Sequence, residues 1–374
     1  MATPPFSVVC RFLENWKHAS ARLPPGMSEL AASFGVFRLD GAVDYVHEEP
    51  KISSWWRHSS GDHQREQLEY TGQCLITGGQ GPIARLHQPR IVGVNGLRPT
   101  GGVLVSFNHD AFASYGKQQG GNAPVCPDEA YQYCAALNHL LSSRRNRALA
   151  ADATTVFWTE EPSSAVDVVR RIFDPRAGGE DETSQLESDS MLEALIAGGH
   201  PLHFGDPNSK LYIVGFSPNS GRISVRFWHV DSLSNLATSI RQHFNDLAIG
   251  HAGREAAFPS VRDLLRETAG RSTQIPANLS GPLIRSIFNG LPYPKALLDA
   301  LLRRITCDRK VNYVRAAMIK AYLNRNARLG VSSLLTPIDT EVDARRPETA
   351  YQLGRYFAVM EKLHEDAFWD GLKE

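Results

Sequence analysis

The residues of this chain best suited to chemistry sit in one polar run, CLITGGQGPIARLHQPRIVGVNGLRPTGGVLVSFNHDAFASYGKQQGGNAPV, from Cys74 to Val125. Within it Asn108, Lys117, Gln118, Gln119 and Asn122 supply amide and ammonium groups at high density. Such groups hydrogen-bond base edges, sugars and phosphates. Phe107, Phe112 and Tyr115 recur among them, as aromatics do when they anchor a loop that presents polar groups to a partner. A second set lies in RISVRFW, where Arg222, Ser224, Arg226 and Trp228 alternate with Ile223, Val225 and Phe227. Alternation places the first group on one face of a strand and the second on the other. Two arginines and a tryptophan on one face suit phosphate and base contacts; a solvated or subunit-covered face is the competing reading. A third set is basic. Residues 281–330 carry ten Lys and Arg, including Arg304, Lys310, Arg315, Lys320 and Arg325, against Asp299 and Asp308, a local balance of +8. Such segregation predicts a surface for an anionic partner.

Catalytic patterns are weaker. His109-Asp110 could open a metal-dependent nuclease site with His200 and His203 as further ligands, but no carboxylate set recurs at helical spacing beside it. Gly79-Gln80-Gly81-Pro82-Ile83-Ala84 fits a loose dinucleotide fingerprint. The acidic residue expected about twenty positions later is missing, with Arg98-Pro99 there instead, and no βαβ unit surrounds it. GFSPNSGR has neither the spacing of a P-loop nor that of a nucleophile elbow. The five cysteines form no CxxC pair and have no histidine at zinc spacing, so they read as reduced thiols. No metal and no cofactor is expected. The residues favour a binding or assembly protein over an enzyme.

The elements that must position these residues give an α+β fold: a mixed α/β part with antiparallel hairpins, followed by an α-helical domain. Val8, Val9, Phe12, Leu13 and Trp16 predict an opening amphipathic helix. Val36–Leu39 and Val43–Val46 flank Asp40-Gly41, a hairpin signal, and Trp55-Trp56 falls in a polar loop. Cys74–Thr77 and Val103–Phe107 read as buried strands, Asp128–Leu141 as a helix and Thr154–Trp158 as a strand. Residues 160–193 carry ten Asp and Glu against Arg170, Arg171 and Arg176, a balance of −7. They predict a short helix at Val166–Phe173, a mobile acidic insertion, and a second helix at Met191–Ile196. Lys210–Trp228 reads as a hairpin around SPNSG. From Leu233 the periodicity is helical, with a long basic helix at Val311–Arg328. A last helix, Ala350–Trp369, is expected to bury Leu353, Phe357, Met360, His364 and Phe368. The expected divisions are 1–70, 71–230 and 231–374. Over 374 residues the net charge is zero, so only local charge speaks of partners. No apolar run reaches membrane-spanning length and the N-terminus has no signal-peptide pattern, which together predict a cytoplasmic protein.

The strings also resemble a family. The central run, TTVFW, YIVGFSPNSGRISVRFW, LIRSIFNGLPYP, RAAMIKAYLNR and YQLGRYFAVMEKLHEDAFW are similar, in order, to the large subunit of the type I-C CRISPR surveillance complex, the Csd-type CRISPR-associated family. The resemblance implies a non-catalytic Cascade subunit. Its expected partners are a guide RNA, target double-stranded DNA, the other Cascade subunits and a recruited helicase–nuclease. It also implies a part in recognising the protospacer-adjacent motif. Members of that family begin upstream and continue past the last helix, so this chain reads as the family's middle: a short variant or the remnant of a disrupted gene.

Overall fold

The computed structural model describes residues 4–18, 36–59, 70–151, 153–174, 182–199, 204–250, 258–270, 275–331 and 336–370. The chain divides into two compact units, residues 1–92 with 98–138, and residues 93–97 with 139–374.

The first unit has little regular structure. Helices α1 (Pro4–His18) and α2 (Pro50–Ser59) precede a small antiparallel hairpin of β1 (Thr71–Gln73) and β2 (Gln80–Pro82), and the N-terminal part of α3 (Pro127–Ser142) closes the unit. Cys74, Ala84, Val125 and Ala130 form a small core, with Cys126 and Tyr133 packed against it. Several expected strands are absent. Cys74–Thr77 is the hairpin's turn, because Gly78 adopts φ 72° and its N–H returns to the Cys74 carbonyl at 2.9 Å. Pairing therefore falls on the flanking polar residues, and Leu75 and Ile76 are exposed. Val103–Phe107 forms no extended strand: pairing there is confined to single bridges at Gly102, which meets Ile91, and Val103. The Asp40-Gly41 turn forms, with Val46 N–H donating to Phe37 at 2.9 Å, but no ladder extends from it. Tyr45 N–H is instead taken by the Glu48 carboxylate at 2.9 Å, which starts a 3-10 turn at Val46–Glu48. Trp55 and Trp56 belong to α2, not to a loop.

The second unit is built on a four-stranded antiparallel meander in the order β3 (Arg147–Ala150), β4 (Ala153–Thr159), β5 (Lys210–Asn219), β6 (Arg222–Ser232). The β5–β6 turn is only Ser220-Gly221, both at positive φ (48° and 87°), the left-handed pair that a tight two-residue hairpin requires. Helices α4 (Ala165–Phe173) and α5 (Glu182–Ile196) interrupt β4 and β5. Helix α5 begins well before the expected Met191. Of the acidic insertion, residues 175–181 lie outside the described residues. Helices α6 (Leu233–Leu247), α7 (Val261–Arg266), α8 (Ala277–Asn289), α9 (Lys295–Asp308), α10 (Tyr313–Arg328) and α11 (Thr349–Asp370) follow.

One core unites sheet and helices. Phe157, Leu211, Ile213 and Phe227 from the strands join Phe173, Leu236, Ile240, Ile287, Phe288 and Ala317 from the helices. Burying each such large side chain contributes about 1.5–3 kcal/mol. The expected boundary at 230/231 therefore falls inside a continuous core. Gly215 serves that core by its size, since a Cβ there would stand 2.2 Å from the Phe227 ring. Helix α11 is the exception. Leu353, Phe357, Met360 and His364, expected to be buried, are exposed, as are Tyr356, Val359 and Leu363; the Phe368 side chain lies outside the described residues. No helix among the described residues is long and apolar enough to cross a membrane.

Candidate nucleic-acid interface

The polar run folds into an ordered loop because a few side chains close it from within. Gly120 N–H donates to the Arg85 carbonyl at 3.1 Å, and a Cβ at Gly120 would stand 1.9 Å from the Ala84 oxygen, so only glycine fits. Arg85 Nη1 donates to Gln119 Oε1 at 2.7 Å. Asn122 Oδ1 accepts from Ser114 N–H at 3.0 Å, and its Nδ2 donates to the carbonyls of Lys117 and Gln119 at 3.2 Å each. Gln119 and Asn122, expected to face a ligand, are thus loop clamps. Asn108, Lys117 and Gln118 are exposed around the clamp.

The clamp holds up Tyr115. Its side chain is 99% exposed and its backbone sits at φ 52°, followed by Gly116 at φ 68°. A left-handed backbone costs a non-glycine residue roughly 1–2 kcal/mol, and an exposed phenol recovers nothing by burial. Tyr115 is therefore no anchor. It projects, beside Lys117 and Gln118, as an aromatic ring on a left-handed turn.

A second surface lies on the sheet. Register pairs Trp158 with Tyr212 and Val214 with Trp228. The Trp158 and Tyr212 rings stack at 5.2 Å and 6° between planes, and Trp228 leans on both at 5.9 and 6.1 Å. Tyr212 Oη donates to Glu160 Oε1 at 2.8 Å, fixing its ring. Trp228 remains 54% exposed. The simple alternation expected along β6 is broken. Gly215 pairs with Phe227 while Phe216 pairs with Val225, which leaves Arg226 as the extra residue of a bulge. Val225, expected inside, is half exposed beside an exposed Arg226, while Arg222 is half-buried. Trp158 and Tyr212 escaped the sequence reading because each sits in an apolar run, TTVFW or LYIVGF, that reads as wholly buried. Cross-strand register alone brings them to Trp228.

A family model described as CRISPR-associated protein (Cas_Csd1) matches residues 1–374. The chain belongs to the Csd1 family of CRISPR-associated proteins. No curated protein matches it.

In this Csd1-family chain most of the cations named in the basic stretch are committed to protein partners, while Arg285, Lys295, Arg303 and Arg309 of the same stretch are exposed. Arg325 is fully buried: Nε donates to Asp246 Oδ2 at 2.6 Å, Nη1 to the carbonyls of Ser286 and Leu291 at 2.9 and 3.0 Å, and the guanidinium lies 4.8 Å from the centre of the Tyr293 ring. Arg328 adds two bonds to the same carboxylate at 2.6 and 2.8 Å. Lys320 is buried with Nζ 3.4 Å from the Asp246 carbonyl, and burial pulls its pKa down. Arg315 is buried between Glu267 and Asp308 at 2.7 Å each, and Arg304 pairs with Asp308. Of the five named cations only Lys310 is exposed. The reason is packing: α10 lies against α6, α7 and α9, so cations spread around it meet protein on several sides and must be paired.

His109 and Asp110 are exposed and His109 packs edge-on against Phe112 at 5.5 Å. No third ligand joins them among the described residues; His200 and His203 lie outside these. Gly79–Ala84 runs through β2 and leads into no helix, so the helix N-terminus that would hold a pyrophosphate is absent there. The described residues bring three metal-ligating groups together only around Cys74.

Proposed function

We propose that this chain is a non-catalytic large subunit of a type I-C RNA-guided surveillance complex, in which its loop from Asn108 to Asn122 contacts the duplex at the protospacer-adjacent motif. The observation that carries this reading is the projecting Tyr115, held in a left-handed turn and flanked by the exposed Lys117 and Gln118. Guide pairing reads most of the target in such complexes, leaving the protein a few base edges and the backbone. A carboxamide can read a base edge, an ammonium can pair with phosphate, and an aromatic ring can stack on a base where the duplex opens. The Trp158–Tyr212–Trp228 face suits a stretch of single strand, guide or target, because stacking tolerates any base. The apolar face left open on α11 suits a neighbouring subunit. That neighbour, and the helicase–nuclease to be recruited, complete the expected partners.

The test is a reconstitution with guide RNA and the other type I-C backbone subunits, followed by titration with motif-bearing duplex and a motif-less control. Co-purification with motif-dependent binding, weakened by Tyr115→Ala, is the expected result. An assembly that excludes the chain, or binds both duplexes alike, would remove the reading. A metal-dependent nuclease activity lost on His109→Ala would replace it.

A further inference from the structure

Cys74 and Cys126 are 52 positions apart, and nothing in their spacing joins them. The fold does. Leu75 N–H donates to the Pro124 carbonyl at 2.8 Å and Ala84 N–H to the Val125 carbonyl at 2.9 Å, which lays the hairpin turn against the start of α3. The two thiol sulfurs and a carboxylate oxygen of Glu129 then lie within 4.8 Å of one another. The turn Cys74-Leu75-Ile76-Thr77-Gly78 closes through Gly78 N–H on the Cys74 carbonyl at 2.9 Å, and Cys126 N–H donates to Cys74 Sγ at 3.4 Å. On the other side Cys126 immediately precedes α3, its carbonyl accepting from Ala130 N–H at 3.0 Å, and Glu129 stands in the first turn of that sixteen-residue helix. Amide donors and a helix N-terminus both favour anionic ligands.

One feature of this cluster is left unbalanced. Glu129 Oε2 is buried with no hydrogen-bond partner, a costly state for a carboxylate oxygen. A cation seated among the two sulfurs and this carboxylate would supply one.

We propose that Cys74, Cys126 and Glu129 hold a zinc ion, with the fourth tetrahedral position left to water. Two thiolates select a soft or borderline metal over magnesium or calcium. Zn–S bonds of about 2.3 Å and Zn–O bonds of about 2.0–2.2 Å require the three ligand atoms to close by no more than about 1.2 Å. Cys126 is only partly buried, so solvent has access to the fourth position. The ion would tie the β1–β2 turn to the first turn of α3, the two ends between which the Tyr115 loop is strung, and its binding would add to the stability of that unit.

The full chain, purified without chelator and dialysed against metal-free buffer, is assayed for zinc by atomic spectrometry and then titrated with Co²⁺. One zinc per chain is expected, and cobalt should give an intense near-ultraviolet thiolate band with tetrahedral d–d absorption. Cys10→Ser with Cys307→Ser should leave both unchanged. Cys126→Ser should abolish them with the far-ultraviolet circular dichroism intact, and Glu129→Gln should weaken metal binding by about tenfold or more. These substitutions spare Cys74, which is buried in the small core and would put folding at risk if replaced. A chain without zinc or cobalt thiolate absorption overturns the proposal, as does undiminished binding by Cys126→Ser. A Cys74–Cys126 disulfide in the intact mass of the fresh protein would do the same, assigning the pair to redox chemistry.

Discussion

At the scale of single residues, Tyr115 and Arg325 are opposites. Tyr115 touches nothing that folding needs, so Tyr115→Ala should leave the melting temperature within about 1–2 °C. It should weaken duplex binding by the complex by about 1–3 kcal/mol, the range for one base-stacking aromatic. Unchanged affinity in anisotropy titrations would take the ring out of the interface. Arg325→Leu should do the reverse, destabilising the second unit by about 3–5 kcal/mol because Asp246 loses its buried partner. Urea denaturation measures this, and a small loss would mean that Arg328 alone satisfies the carboxylate. His243 gives the same network a pH dependence. It is buried with Nδ1 2.6 Å from Tyr293 Oη, and its pKa is lowered to about 3, by burial first and then by Arg325, with Asp246 opposing. The folded state keeps this ring neutral where the unfolded chain, with an ordinary pKa of 6.5, takes a proton. Its contribution to stability is therefore complete above pH 6.5 and is lost as pH falls toward 3, by up to about 1.4 kcal/mol per pH unit. Burial also lowers the pKa of His87 and His229, adding in the same direction. Denaturation midpoints at pH 7 and pH 5 should differ less for His243→Asn than for the parent; equal differences would clear His243 of the effect.

At the scale of elements, the sheet separates its two faces by what covers them. One face is buried under helices, and there Gly215→Ala should destabilise by about 1–3 kcal/mol or more, since Phe227 must leave its place. The other carries Trp158, Tyr212 and Trp228. Replacing Trp158 and Trp228 together by Ala should weaken single-stranded binding by the assembled complex about equally for different sequences, because every base offers a stacking face. Loss confined to one sequence would argue for base-edge readout instead. Helix α10 shows how much of an element is legible in its composition. Its helical periodicity stands out, and its bounds come within two residues of those expected. That its cations point inward is invisible, because charge along a sequence says nothing of how many neighbours a helix has. Helix α11 is the mirror case: its apolar stripe predicts a buried face, and among the described residues Leu353, Phe357, Met360 and Leu363 stay exposed.

At the scale of the whole molecule, zero net charge predicts no broad attraction to nucleic acid, so any affinity must come from local exposed cations such as Lys117, Arg226 and Lys310. Duplex affinity of the reconstituted complex should fall as salt rises, and Lys117→Ala should reduce the log–log slope by about 1 if it meets a phosphate. An unchanged slope would place Lys117 away from the backbone. The sequence by itself determined what local physics controls. The α+β class, the β5–β6 hairpin, α3, α4 and the C-terminal helices follow from periodicity and turn residues acting over a few positions. The family resemblance, carried by whole strings, was legible too. Only the tertiary structure decided which polar groups are available. It committed Gln119 and Asn122 to the loop's own backbone, paired Arg315 and Arg325 in the interior, left Tyr115 projecting, gathered three aromatics from three strands, and brought Cys126 to Cys74. Each of these depends on partners tens of residues away or on the number of elements packed around one helix, and neither quantity is written in any local stretch of the chain.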